Sequence, residues 1–251
     1  NDDDGNTLTR EALLARMENH IKTVAGRYKG RIKGWDVVNE ALEGDGSLRK
    51  SKWLEIIGEG SDEKKYDYIE SAFRLTNEAD PNAELYYNDY GLESSRKKCD
   101  GAVALVKHLQ SKGIRIDGVG IQLHGGLEYP SAEDLEYAIT SLAATGIKIM
   151  ITELDIRTQR RGYRGADISR VNRQSTNDPD ANSEETQKKV AEKYAEIFSI
   201  LHKHKDDIAR FTFCGIYDGA SWIGGSPLLF DRNYQPKEAF YAVVKTSQDN
   251  Q

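Results

Sequence analysis

The chain has little cysteine, no long apolar run and no surplus of positive charge, and each lack excludes something. Its 251 residues include 2 cysteines, Cys99 and Cys214, far apart along the chain. Such a pair makes no disulfide framework and leaves the redox compartment unread, so free buried thiols are the expectation. No apolar run approaches the roughly 18 residues that a spanning helix needs, so no membrane span is expected. The opening Asn1-Asp2-Asp3-Asp4-Gly5 is acidic and polar, unlike a signal peptide. The net charge of −6 argues against a nucleic-acid partner, because phosphates reward a basic face. No low-complexity linker interrupts the chain, and no glycine-rich phosphate loop follows the first strand, which leaves a nucleotide site unsupported. A neutral polymer or a small polar substrate fits what remains.

What is present is an alternation of strand and helix. Leu13, Met17, Ile21, Val24 and Tyr28 recur at 3- and 4-residue steps and predict a helix over 9–29. A buried strand follows at 32–39, then a helix over 62–79 that stops before Pro81. Further strands are predicted at 85–88, 118–124, 147–156 and 209–216. Further helices are predicted at 94–112, 131–144 capped by Ser131, 183–206 capped by Ser183, and 236–246. Apolar strands separated by amphipathic helices imply a parallel sheet covered by helices. The count is five strands, with a helix first.

The polar residues of interest sit where strands end: Asn39 with Glu40, Asn88, Gln122 with His124, Glu153, and Asp218. In a β/α barrel the C-terminal strand ends form the active site. Glu40 and Glu153 end different strands of one parallel pattern. Glycoside hydrolysis needs such a pair, one carboxyl protonated to release the leaving oxygen and the other ionised.

The segment Trp35-Asp36-Val37-Val38-Asn39-Glu40-Ala41 resembles the acid/base motif of glycoside hydrolase family 10. Ile151-Thr152-Glu153-Leu154-Asp155 resembles its nucleophile motif. Tyr87-Asn88-Asp89-Tyr90, Gly118 to His124, Ser221-Trp222, Leu229-Phe230-Asp231 and Tyr234-Gln235-Pro236-Lys237 match further segments in order, so the resemblance runs from about residue 10 to 245. It implies a retaining endo-1,4-β-xylanase on a (β/α)8 TIM barrel, acting on xylan or xylo-oligosaccharides and needing no metal or organic cofactor. Glu40 is then the acid/base and Glu153 the nucleophile. Asn39 holds the sugar 2-hydroxyl, and Asn88, Gln122 and Tyr90 line the cleft. His124 contacts Glu153 with Asp155 orienting the imidazole, and Trp222, exposed by the look of its neighbours, stacks on a sugar. The resemblance also implies a secreted, periplasmic or cell-surface enzyme. The rival readings are a non-catalytic polysaccharide-binding remnant and another barrel glycosidase such as a cellulase.

The chain departs from the family pattern in three places. The three βα units that precede the acid/base strand in the family have no counterpart here, so residues 9–251 are expected to supply strands 4 to 8 of the barrel. The remaining units are expected on a separate segment, with residues 1–8 the end of a linker or of an inserted carbohydrate-binding module. Phe213-Cys214-Gly215 stands where the family usually reads Phe-Trp-Gly, and Tyr217 follows it. Finally, Arg157, Arg160, Arg161, Arg164, Arg170 and Arg173 lie within 157–182. They suit either a solvated loop or a contact with glucuronic acid on xylan.

Overall fold

The computed structural model describes residues 5–158 and 180–249. The chain divides into two compact units. The first holds residues 1–89, 97–120 and 144–147; the second holds 90–96, 121–143 and 148–251.

In the first unit, helix α1 (Arg10–Arg27) starts where Thr9 Oγ1 accepts the Ala12 amide at 3.2 Å. It leads into strand β1 (Gly34–Asn39). Two helices follow, α2 (Lys52–Ile57) and α3 (Asp67–Ala79), then strand β2 (Glu84–Asp89). Helix α4 (Arg96–Ser111) follows, with all but its first residue in this unit, and leads to strand β3 (Gly118–Ile121). Strands β1, β2 and β3 are neighbours in that order, and β1 pairs β2 in parallel. The core comes from Ile69 and Phe73 of α3, Leu85, Tyr86 and Tyr87 of β2, and Cys99, Leu105 and Leu109 of α4. Burying each of the leucine, isoleucine and phenylalanine side chains among them contributes about 1.5–3 kcal/mol before entropy is counted. Buried Asp80 accepts from Gly30 N and Trp35 Nε1, both at 3.3 Å, so Trp35 helps fasten the α1–β1 connection.

In the second unit, strand β4 (His124–Gly126) leads to α5 (Ala132–Ala143), β5 (Lys148–Arg157), α6 (Glu184–Lys203), β6 (Ile208–Phe213) and α7 (Glu238–Asp249). Strand β5 is central, with β4 on one side and β6 on the other, both parallel to it. The expected caps are present: Ser131 Oγ accepts from Asp134 N at 3.1 Å and Ser183 Oγ from Thr186 N at 3.2 Å.

The structure differs from the sequence expectation in its strands. Six are found among the described residues, not five, because Leu123 takes φ 60° and splits the predicted 118–124 run into β3 and β4. A left-handed leucine is costly, since Cβ crowds the following carbonyl. Strand β1 begins at Gly34, and Ile32 lies outside it, 37% exposed. Of the arginines in 157–182, Arg157 is described; Arg160, Arg161, Arg164, Arg170 and Arg173 fall outside the described residues, as do residues 1–4 of the acidic lead-in.

Candidate active site

In the first unit, strand pairing sets the local geometry. The register places Asn39 beside Asn88, and Asn88 Nδ2 donates to Asn39 Oδ1 at 2.9 Å. Asn39 is exposed at the strand end, while Asn88 is buried. Glu40 follows with φ 57°, and its amide donates to Asn88 O at 2.8 Å. That left-handed residue turns the chain sharply at the strand end, leaving the Glu40 side chain 22% exposed. Arg49 Nη1 lies 3.5 Å from Glu40 Oε2, and Arg49 Nε lies 3.8 Å from Glu43. Arg49 is a neighbour that sequence reasoning missed, because a lone arginine in a turn-rich stretch carries no pattern.

In the second unit, side chains two apart on a strand share a face, so Glu153 and Asp155 of β5 project together. The β4–β5 register sets His124 beside Asp155. His124 Nδ1 meets Asp155 Oδ1 at 3.0 Å, and Nε2 lies 3.4 Å from Glu153 Oε2. Asp155 is fully buried and accepts a second bond, from Trp222 Nε1 at 2.8 Å. Burial alone pulls the His124 pKa down, but hydrogen bonds and charge from Asp155 and Glu153 outweigh it and raise it to about 9. At neutral pH the ring is therefore an imidazolium donating toward both carboxylates.

Gln122 is buried, and its carbonyl accepts the Glu153 amide at 3.0 Å, which pins the strand at that residue. Tyr90 is half-buried and opens the second unit. Trp222 is not the open plate its sequence neighbours suggested. It is half-buried, set edgewise to His124 at 5.1 Å, and the Arg157 guanidinium lies over its ring at 5.1 Å. The Arg157 contact could not be read from sequence, since it joins residues 65 positions apart.

Cys214 and Cys99 are both free thiols; Cys99 is buried and Cys214 half-buried. Burial pushes the Cys214 thiol up to about 12, with the charges of Asp155 and Glu153 adding to it and a hydrogen bond from Trp222 opposing. His124, Asp155 and Cys214 offer donor atoms within 4.8 Å of one another, as a metal set would. Their hydrogen bonding explains the proximity without an ion. Asp155 is shared between His124 and Trp222, and a metal would need the thiolate that this environment disfavours. Tyr217 stacks on Tyr234 with centroids 4.2 Å apart.

The second unit thus sets the Glu153 carboxyl beside a histidine held by a buried aspartate, and the first sets the Glu40 carboxyl next to a paired amide. The model for glycosyl hydrolase family 10 matches residues 3–246. The chain is 40% identical over 257 residues to endo-1,4-β-xylanase A of Xylanibacter ruminicola, covering 97% of this chain and 68% of that protein. A family-10 endoxylanase from a sugarcane soil metagenome superposes with TM-score 0.85 at 40% identity, covering 97% of this chain and 71% of that one. Xylanase 10B of Thermotoga petrophila, solved with xylobiose, gives TM-score 0.82 at 35% identity, covering 99% of this chain and 70% of that one. This chain therefore belongs to glycosyl hydrolase family 10.

Proposed function

We propose that this chain performs the double displacement of a retaining endo-1,4-β-xylanase, with Glu40 as acid/base and Glu153 as nucleophile. As a member of the family it is a glycoside hydrolase, and its parallel α/β units are those of a (β/α)8 barrel. In the first step Glu153 attacks the anomeric carbon while Glu40 protonates the departing glycosidic oxygen. In the second, Glu40 takes a proton from water, which displaces Glu153 with net retention. Asn39, held by Asn88, binds the sugar 2-hydroxyl, a contact that strengthens in the transition state. Gln122 and Tyr90 border the sugar, and Trp222 closes the site beside His124. The observation that carries this reading is the placement of His124 between buried Asp155, at 3.0 Å, and Glu153, at 3.4 Å.

The test is Glu153→Ala. Xylan hydrolysis is expected to vanish while xylo-oligosaccharide binding, measured calorimetrically, persists. A wild-type protein that binds xylan and never cleaves it would leave the polysaccharide-binding reading. Faster cleavage of cellulose than of xylan would move the activity to a cellulase.

Secretion belongs to the same proposal, since polymeric xylan is too large to enter a cell; among the described residues no helix is long and apolar enough to cross a membrane. So does the division of the barrel. The chain spans 68% to 71% of the length of the three relatives compared above. On this reading residues 9–251 supply strands 4 to 8, and strands 1 to 3 lie outside the 251 residues.

A further inference from the structure

Glu40 follows β1 in a backbone conformation that its residue type disfavours, with φ 57°. Something must hold the turn there, because a strained residue persists only when its surroundings over-determine it. The three amides that make the turn are each captured by a group on β2. Glu40 N donates to Asn88 O at 2.8 Å, Ala41 N to the Tyr87 hydroxyl at 3.1 Å, and Leu42 N to Asp89 Oδ2 at 3.3 Å. The Tyr87 hydroxyl in turn donates to the same Asp89 oxygen, and the other oxygen of Asp89 takes the Lys98 ammonium of α4 at 2.8 Å.

These anchors are sealed from water. Tyr87 and Asp89 are 0% exposed and Lys98 is 2% exposed. A dry ion pair is a poor device for stability alone, because desolvating two charges offsets most of their attraction. It does supply what an apolar core cannot: an oxygen at a fixed point with acceptor capacity for a backbone amide and a phenol together.

We infer that Tyr87, Asp89 and Lys98 are positioning residues for the acid/base, acting through the 40–42 backbone to aim the Glu40 carboxyl. This rests on the reading of Glu40 as acid/base and extends it to residues that touch no sugar. Displacement of the carboxyl by one ångström weakens proton transfer without altering the grip on substrate.

The test exploits leaving groups in the active protein carrying this chain. Xylotetraose needs a proton on its departing oxygen; dinitrophenyl xylobioside does not. Glu40→Ala serves as the reference and is expected to lower kcat/KM far more for xylotetraose than for the dinitrophenyl substrate. Tyr87→Phe keeps the ring and removes the hydroxyl. It is expected to lower kcat/KM about tenfold or more for xylotetraose, a fraction of the ~10²–10⁴ that a general acid supplies, and to leave the dinitrophenyl substrate nearly unchanged. Should Tyr87→Phe fail to fold, Lys98→Gln is measured in the same way with the same expectation. Equal losses on both substrates would mark a structural role and overturn the inference. If Glu40→Ala itself shows no dependence on leaving group, the acid/base reading falls first and the inference falls with it.

Discussion

At the scale of single residues, the sequence offered candidates where the chemistry of glycoside hydrolysis limits residue type. Glu40, Asn39, His124 and Glu153 were named from sequence; the structure pairs Asn39 with Asn88 and sets His124 beside Glu153, and it places Glu153 inside β5, not at the strand end that was expected. What sequence withheld was conformation and long-range contact: the left-handed φ of Glu40, Arg49 beside it, and Arg157 across Trp222. His124 gives a stability prediction. Its pKa is raised from 6.5 to about 9, so folding favours the protonated ring. That contribution is complete below pH 6.5 and is lost as pH rises through 9. The melting temperature of wild type relative to His124→Gln should therefore fall between those two values; a constant difference would show a neutral ring. Cys214 gives another. With its thiol pushed up to about 12, almost no thiolate exists at pH 8. Iodoacetamide should modify it far more slowly in the folded chain than in urea, and labelling at the same rate in both would refute the assignment.

At the scale of elements, periodicity found the long helices and the apolar strands, because packing against a sheet imposes a stripe on each. It missed α2, six residues long, because fewer than two turns carry too few positions for a pattern to register. It also merged β3 with β4, because nothing in the residue type of Leu123 announces a positive φ. Helix α4 shows how a neighbouring turn can override propensity. Replacing glycine by alanine inside a helix ordinarily gains about 1 kcal/mol. At Gly101 the added Cβ would stand 2.5 Å from Gly46 O and 2.8 Å from Gly46 Cα, backbone atoms of a turn whose own φ is 85°. Relief requires backbone movement, and overpacking of this kind costs about 1–3 kcal/mol. Clash should outweigh propensity. Gly101→Ala is expected to lower the midpoint of urea unfolding, and a raised midpoint would show that the turn yields freely.

At the scale of the whole molecule, the strand pattern gave a parallel sheet covered by helices, and the family motifs made it a barrel. In the first unit β1 pairs β2 alone among the described residues, and Tyr28 and Ile32 beside it are each 37% exposed. In the second, β6 pairs β5 alone among the described residues; Ile216 just beyond it is 77% exposed, and Tyr241 and Val244, three apart on α7, are 60% and 37% exposed. Open strand edges flanked by apolar side chains recruit further strands, either the intended ones or another copy. If three βα units on another segment complete the barrel, the chain by itself should self-associate in sedimentation velocity and should not hydrolyse xylan. Addition of a polypeptide corresponding to the first three βα units of a family-10 relative should then bring both a sharp, smaller sedimenting species and xylan hydrolysis. The two readouts should titrate together to one equivalent, because the same edges that seek a partner also carry the strand bearing Glu40. A chain that is monomeric, soluble and fully active without any such addition would show that both edges are closed by its own residues, and the division of the barrel would be wrong.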